Sequence, residues 1–178
     1  MLHLKWIGNV IFLLIAAGLS SCAHTWSPGQ VPQIDLSAVG PYQEELSVDL
    51  INNQPNTTPQ LFAGIGGHTH YANYNEWTQF FITTYADELT KRGVKVSQDS
   101  LNKIKIKLSN FAFYQGFAKV RTNMTVTLTS GDDKWSKIYE ETDTSGWSMG
   151  RAFGSVIYHT IEKLLNDSEV VDKMKVSK

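Results

Sequence analysis

Two histidines separated by one residue are the first candidates for chemistry in this sequence. His68 and His70 flank Thr69, and in an extended segment such a pair presents both imidazoles on one side, as in some zinc and copper sites. A metal needs a third and a fourth ligand, and nothing in the sequence places His24 or His159 beside the pair. We therefore predict a polar loop without a metal here. Metal binding or hydrolysis at His68 and His70 is the alternative.

The sequence lacks the other arrangements that support catalysis. A nucleophile needs a histidine that a carboxylate orients, and no G-x-S-x-G elbow occurs. The stretch 64–67 lacks the Lys-Ser/Thr ending of a phosphate-binding loop, so we interpret Gly66 and Gly67 as flexible backbone. The neighbouring carboxylates Glu140 and Glu141 point to opposite faces of a strand. These features predict a protein that is not an enzyme and uses no cofactor.

The composition limits the class of protein. The chain has 178 residues, of which 42% are hydrophobic and 19% charged, and this fits one globular domain. Its 16 Lys and Arg residues against 17 Asp and Glu give a net charge of −1, which excludes nucleic-acid binding through bulk charge. Cys22 is the sole cysteine, so neither an intrachain disulfide nor a multi-cysteine metal cage can form.

The amino-terminal residues have the layout of a secretory signal. A positively charged start precedes a mostly apolar run over residues 6–19, and small residues follow up to Cys22. At about 1.5 Å per residue the run is shorter than the roughly 30 Å hydrocarbon core, which disfavours a permanent transmembrane helix. Residues 19–22, with the sequence LSSC, resemble the lipobox of bacterial lipoproteins. That resemblance implies a signal peptide over residues 1–21 and acylation of Cys22.

Acylation of Cys22 places the protein at a membrane. Several acyl chains, at roughly 0.8 kcal/mol per buried CH₂, hold a protein on a bilayer far better than one chain does. The residue after the cysteine is Ala23, and the resemblance then implies the periplasmic face of the outer membrane. A plain secretory signal that is cut near Ala23 and leaves Cys22 as a spare thiol is the alternative.

The mature chain divides into a tether and one domain. Residues 22–44 are rich in proline and glycine without a sustained period of 2 or 3.6, which predicts a tether between lipid and domain. We predict the domain over residues 45–178, and alternation over residues 45–51 indicates its first strand. The Asn-, Pro- and Gly-rich stretch 52–73 predicts a long loop.

Alternating and helical patterns predict the rest of the domain. Apolar residues at a spacing of four, with Gly93 beyond them, predict a helix over residues 76–92. Alternation over residues 103–142 predicts three antiparallel strands, with a bulge at residues 109–110 where the parity of the apolar positions changes. A second apolar stripe, residues 153–165, predicts the final helix. The fold class is therefore predicted as α+β, a two-layer sandwich with an antiparallel sheet of about four strands and two helices packed on one face.

Three surface features are candidates for contact with a partner. Lys103, Lys105 and Lys107 share one face of a predicted strand, where they could contact anionic headgroups or an acidic partner. Lysines also protect exposed strand edges from aggregation, and we favour that interpretation. Trp26 in the tether and Trp147 before the last helix are candidate surface contacts.

Aromatic residues at helical spacing form a further group: Trp77, Phe80, Phe81 and Tyr85. Such a group could line an apolar ligand groove between helix and sheet. A stripe of this kind is more often plain core, and this is our prediction. The groove interpretation leads to the alternative of a lipid-transport accessory.

Four segments carry a wider resemblance: residues 19–23 (LSSCA), 91–96 (KRGVKV), the predicted hairpin over 103–121, and 164–167 (LLND). In layout they resemble the YajG family of bacterial lipoproteins, over most of residues 45–172. That family has no established activity. The resemblance therefore implies an outer-membrane lipoprotein with a periplasmic domain.

Together these observations predict a lipid-anchored periplasmic binding or accessory lipoprotein of the bacterial envelope. We expect its partners to be the membrane, through the amino-terminal acyl chains, and an envelope protein or polymer, but no nucleic acid. The candidate contact surfaces are two. One is the solvent-exposed face of the sheet, which carries the lysine row, and the other is the 52–73 loop, with Gly66, Gly67, His68 and His70.

Overall fold

The computed structural model describes residues 22–146 and 148–176, so the predicted signal peptide, residues 1–21, and Trp147 lie outside the described residues. A 3-10 turn at Pro28–Gln30 follows the first strand. The strands and α-helices of the described residues are, in chain order, β1 (Cys22–Trp26), β2 (Ser47–Asn52), β3 (Gln60–Ile65), β4 (His68–Ala72), α1 (Tyr74–Lys91), β5 (Lys95–Val96), β6 (Lys103–Gln115), β7 (Val120–Ser130), β8 (Ser136–Ser145), α2 (Met149–Asn166) and α3 (Ser168–Asp172).

The strands form two sheets, and the fold is α+β as predicted. The larger sheet has five strands in the order β5-β2-β6-β7-β8, and the smaller has three in the order β1-β4-β3. In the larger sheet β2 runs parallel to β5 and β6, whereas β6, β7 and β8 are antiparallel. The expectation of one antiparallel sheet of about four strands with two helices is therefore wrong in detail. Alternation along one strand shows which face is buried, but it does not show which strand lies alongside or in which direction.

One face of the larger sheet carries the core. Ile104, Ile106 and Leu108 of β6 are fully buried, and the register sets Ile106 beside Leu128 and Leu108 beside Val126 of β7. α1 contacts β6 and β2 on this side, while α2 contacts β7 and β8. The predicted bulge is confirmed: the β6–β7 register shifts between Ser109 and Ala112, and Asn110 has a φ of 49°. The bulge moves the next apolar residues of β6 onto the same core.

The helices begin and end at residues whose side chains or backbone suit a cap. The Asn73 side chain accepts hydrogen bonds from the Asn75 and Glu76 amides at the start of α1. Gly93, with a φ of 87°, follows the last turn in the left-handed conformation that favours glycine. After α2, Val170 and Met174 are fully buried, so the end of the chain also packs on the core. Within the described residues, no helix combines the length and hydropathy needed to cross a membrane.

The segment 22–44 differs from the expected tether. Its first five residues form β1, which pairs with β4, and Leu36 is only 4% exposed in the core. The backbone of Pro32 lies so close to α2 that a Cβ added to Gly154 would be 2.7 Å from the Pro32 carbonyl oxygen. The sequence did not predict this packing, because β1 is held by backbone pairing with a distant strand. Such pairing requires no hydrophobic period in the segment.

The stretch 52–73 also differs from the expected loop, because it contains the β3–β4 hairpin. Ile65 pairs with His68, so Gly66 and Gly67 form a two-residue turn. Their φ angles of 55° and 82° are those of a type I′ turn, which glycine adopts without strain. A Gly-Gly pair between two short strand-like segments is typical of a β-hairpin, so the sequence does contain a signal for this one.

The close approach of Pro32 to α2 yields a test of how the segment 22–44 is packed. Gly154→Ala ordinarily stabilises a helix interior by up to about 1 kcal/mol. Here we expect a net loss of about 1–3 kcal/mol in the free energy of unfolding, because the new methyl group overpacks against the Pro32 backbone. Urea unfolding of the mature chain followed by circular dichroism measures the difference. Gly40→Ala is the control, since nothing lies within 4 Å of a Cβ at that position, and a stabilised Gly154→Ala variant contradicts the packing.

Candidate functional site

The smaller sheet brings three histidines onto one face. The parallel pairing of β1 with β4 sets Cys22 opposite His68 and His24 opposite His70. Because alternate residues of a strand share a face and paired residues point the same way, these four side chains lie on one side of the sheet. His24 therefore lies beside the pair, although nothing in the residue order places it there, and the predicted polar loop at His68 and His70 is in fact a strand. His24 and His68 are 44 residues apart in sequence, and only strand pairing brings them together.

The three imidazoles form a connected group, the histidine cluster, made of His24, His68 and His70. His24 Nε2 lies 3.0 Å from His68 Nδ1, and the His24 ring stacks on the His70 ring with 5.3 Å between centroids. The Trp26 indole N–H donates to His70 Nδ1 over 3.2 Å. Because that nitrogen accepts, a neutral His70 carries its proton on Nε2. Trp26, predicted as a surface contact, is thus partly buried and holds the cluster in place.

The histidines differ in their exposure to water. His24 and His68 are exposed, whereas His70 is 9% exposed. Burial lowers the pKa of His70, and the neighbouring His24 and His68 lower it further. The cluster therefore has a neutral, hydrogen-bond-accepting base at its inner end and two accessible imidazoles at its outer end.

The cluster offers limited means of holding a metal ion. In residues 22–146 and 148–176, no three His, Cys, Asp or Glu side chains are grouped so that they could hold a metal. His159, on α2, lies 3.2 Å from an Asp143 carboxylate oxygen and belongs to a different interaction. Two ring nitrogens of the histidine cluster, His24 Nε2 and His68 Nδ1, face each other.

Aromatic rings connect the histidine cluster to the core of the larger sheet. His70 contacts Phe113 of β6 edge-on, with 5.8 Å between ring centroids. Phe62 of β3 contacts Phe153 of α2 at 5.7 Å, and Phe153 stacks on Phe111 at 4.5 Å. Aromatic pairs of this kind each add about 0.5–1.5 kcal/mol beyond the burial of their area. The smaller sheet is therefore packed firmly against β6 and α2.

The predicted lysine row lies on the opposite face of the larger sheet from the core. Lys103 and Lys107 are exposed, and Lys105 is half-buried. Lys105 forms an ion pair with Asp133 at 2.8 Å, and Lys103 lies 3.7 Å from Asp49. Part of the positive charge of the row is thus balanced by neighbouring carboxylates.

Polar side chains join the edge strand β8 to the end of α2. The Tyr139 hydroxyl donates to Asp167 over 2.6 Å, and Lys137 bridges Asp167 and Glu169, each at 2.7 Å. Although burial raises the pKa of Asp167, the hydrogen bonds from Lys137 and Tyr139 lower it overall. Glu141 points inward to Lys163, so it does not act together with Glu140. These carboxylates hold the fold together.

A cavity of about 720 Å³ lies between residues 33–41 and α1. Glu88 and Arg92 are buried at its edge, where the guanidinium donates to the Glu88 carboxylate at 2.7 Å and also to the Leu36 carbonyl oxygen. Burial raises the pKa of Glu88, but the hydrogen bonds from Lys91 and Arg92 lower it overall. The charged groups of this cavity therefore fasten residues 33–41 to the helix.

The aromatic stripe of α1 is core, as predicted. Trp77, Phe81 and Tyr85 have no exposed surface, and Phe80 lines the cavity beside residues 33–41. An apolar groove formed by the whole stripe is therefore absent from the described part of the chain.

Comparison with known proteins adds little to this description. No family model matches the chain, and no curated protein matches it. One solved structure, described as "Crystal structure of uncharacterized protein", is similar with a TM-score of 0.35 and 6% sequence identity, covering 85% of this chain and 98% of that chain. At that TM-score the similarity supports no argument about fold or function. The resemblance to the YajG family stays a prediction.

The lowered pKa of His70 predicts how stability depends on pH. The unfolded chain binds a proton at His70 near the ordinary pKa of 6.5, while the folded chain resists it. The part of the free energy of unfolding that depends on a neutral His70 is therefore fully present above pH 6.5. It is lost as the pH drops through 6.5 toward the folded-state pKa. His70→Gln should reduce this fall in melting temperature between neutral and mildly acidic pH. Thermal unfolding at several pH values tests it, with Thr25→Ser, which keeps every histidine, as the control. An unchanged pH profile in His70→Gln contradicts the assignment.

Proposed function

We propose that this chain is a lipid-anchored lipoprotein of the bacterial envelope, without enzymatic activity, whose domain binds an envelope protein or polymer. The observation that carries the proposal is the position of Cys22, the sole cysteine of the sequence. Its thiol is free and exposed, and it is the first residue of β1. Cleavage before Cys22 preserves every pair of β1 with β4, because that pairing starts with Cys22 and His68.

The anchor and the domain are then joined directly. Several acyl chains on Cys22, at roughly 0.8 kcal/mol per buried CH₂, are enough for stable attachment to a bilayer. Since β1 is paired from its first residue, no free linker separates the lipid from the folded domain. The domain therefore lies against the leaflet, and Ala23 favours the periplasmic face of the outer membrane.

One surface remains for an envelope partner, the outer face of the larger sheet with its lysine row. The exposed tip of the β3–β4 hairpin, Gly66 and Gly67, directly precedes His68, the strand partner of Cys22, so it lies at the lipid end of the domain. A lipid-transport role has less support, because Asp87, Glu88, Lys91 and Arg92 make the cavity beside α1 too polar for acyl chains. We also infer a two-layer sandwich for the main core, since both long helices contact strands of the larger sheet whose buried residues share one face.

Replacement of the anchoring residue tests the proposal. We expect Cys22→Ser to abolish incorporation of labelled palmitate and to remove the protein from the outer-membrane fraction, because no thioether to lipid can form. Mass spectrometry of the amino-terminal peptide of the native protein should show the added mass of the acyl chains. Thr25→Ser, in the same strand, is the control and should behave as the native protein. Outer-membrane fractionation of Cys22→Ser equal to that of the native chain would refute lipid anchoring.

Metal binding is a second candidate function, favoured by the 3.0 Å separation of His24 Nε2 and His68 Nδ1. Two nitrogens that bind one Zn²⁺ at about 2.0–2.1 Å each lie roughly 3.3 Å apart in a tetrahedral site, with water completing the shell. If this function holds, titration calorimetry with Zn²⁺ or Cu²⁺ should give saturable binding that His24→Ala and His68→Ala each abolish. His159→Ala is the matched control. Binding that survives both substitutions excludes this site.

A further inference from the structure

The turn that joins β6 to β7 presents aromatic side chains to solvent. The Gly116 amide donates to the Lys119 carbonyl oxygen over 2.8 Å and closes the turn. Phe117 at its apex is 96% exposed, and Tyr114 at its base is 51% exposed. The Arg121 guanidinium lies over the Tyr114 ring, 5.2 Å from its centroid. We call this group, residues 114–121, the β6–β7 tip.

The charge of the β6–β7 tip is entirely positive. Lys119 and Arg121 are exposed, and residues 114–121 contain no carboxylate. All ion pairs among residues 22–146 and 148–176 involve other cations. Asp143 on the neighbouring strand, paired with Thr122, turns inward to His159. Exposed aromatic rings with basic neighbours suit the headgroup region of an anionic leaflet.

Contacts between the two sheets show where this tip lies relative to Cys22. Trp77 links Trp26 of β1 to Phe111 of β6: its indole donates to the Trp26 carbonyl over 3.2 Å, and its ring packs on Phe111 with 4.6 Å between centroids. His70, the strand partner of His24, packs on Phe113 and so links His24 to Phe113.

The step of two residues from Trp26 to His24 on β1 is thus matched by the step from Phe111 to Phe113 on β6. One more step leads to Cys22 on β1 and to Gln115 on β6, where the turn begins. The residue proposed to carry the lipid and the β6–β7 tip therefore lie at the same end of the molecule.

We infer that the β6–β7 tip is a second, non-covalent membrane contact, in which Phe117 enters the headgroup region of a leaflet containing anionic lipids while Lys119 and Arg121 contact phosphates. This inference rests on the proposed lipid anchoring. The lipid on Cys22 attaches the domain to the leaflet. The tip adds a second point of contact, which fixes the orientation of the domain relative to the leaflet.

The chain offers a matched control for Phe117. Leu101 is also 96% exposed, and it precedes the first residue of β6, whereas Phe117 follows the last. At about 3.3 Å per residue the length of β6 separates the two positions by roughly 40 Å. Lys95, exposed on the short edge strand at the Leu101 end, is the corresponding control for the cations of the tip.

The experiment uses the full, lipidated chain. Once Cys22 is acylated, Phe117→Cys and Leu101→Cys each provide a single free thiol for an environment-sensitive fluorophore. The proteins are reconstituted in vesicles of phosphatidylethanolamine with about one quarter phosphatidylglycerol and a phospholipid quencher near the headgroups. We expect quenching at position 117 to exceed that at position 101 by about twofold or more. Lys119→Glu with Arg121→Glu should remove the excess, and Lys95→Glu should leave it.

The outcomes separate this inference from the anchoring proposal. Equal quenching at positions 117 and 101 in protein that floats with the vesicles overturns the second contact and leaves the lipid anchor intact. Failure of the unlabelled chain to float contradicts the lipid anchor itself, and the second contact with it.

Discussion

The pairing of β1 with β4 is the interaction on which the arrangement of this molecule depends. It joins Cys22–Trp26 to His68–Ala72 in a parallel register, which requires a long connection between the two strands. Backbone hydrogen bonds of this kind contribute only about 0.5–1.5 kcal/mol each, so the strand also needs side-chain contacts. Trp26 supplies them, since its indole binds His70 and its ring lies 6.2 Å from Phe153. With this strand in place, the histidine cluster exists and Cys22 is attached to the body of the domain.

The aromatic contacts extend this constraint into the larger sheet. Before the bulge at Asn110, Ile104, Ile106 and Leu108 of β6 face the core. The bulge turns Phe111 and Phe113 toward the same core. Those two rings then form the surface on which Phe62 and His70 rest. One local change in the parity of β6 therefore decides where the smaller sheet docks. The same contacts align the two sheets and determine which turns lie at the Cys22 end.

Features set by local chemistry were predictable from residue order. The spacing of Trp77, Phe81, Tyr85 and Leu89 predicted α1, and all four side chains are fully buried. The strict alternation after Lys103 predicted β6 and its bulge. The β3–β4 hairpin has a signal in Gly66-Gly67, but the Asn, Pro and Gly residues around that pair are equally typical of a loop. Parallel pairing left no comparable trace, because the two partners are far apart in sequence and share no pattern that marks them as neighbours.

The sequence by itself determined the candidate anchor at Cys22, the α+β composition and the buried faces of the helices and central strands, because each depends on residue type and local period. The tertiary structure alone decided that residues 22–44 pack on the domain, that His24 joins His68 and His70, and that the β6–β7 tip lies at the Cys22 end. These relations depend on long-range strand pairing and ring packing. Such contacts form between residues that local periodicity cannot connect, and so they exist only once the chain has folded.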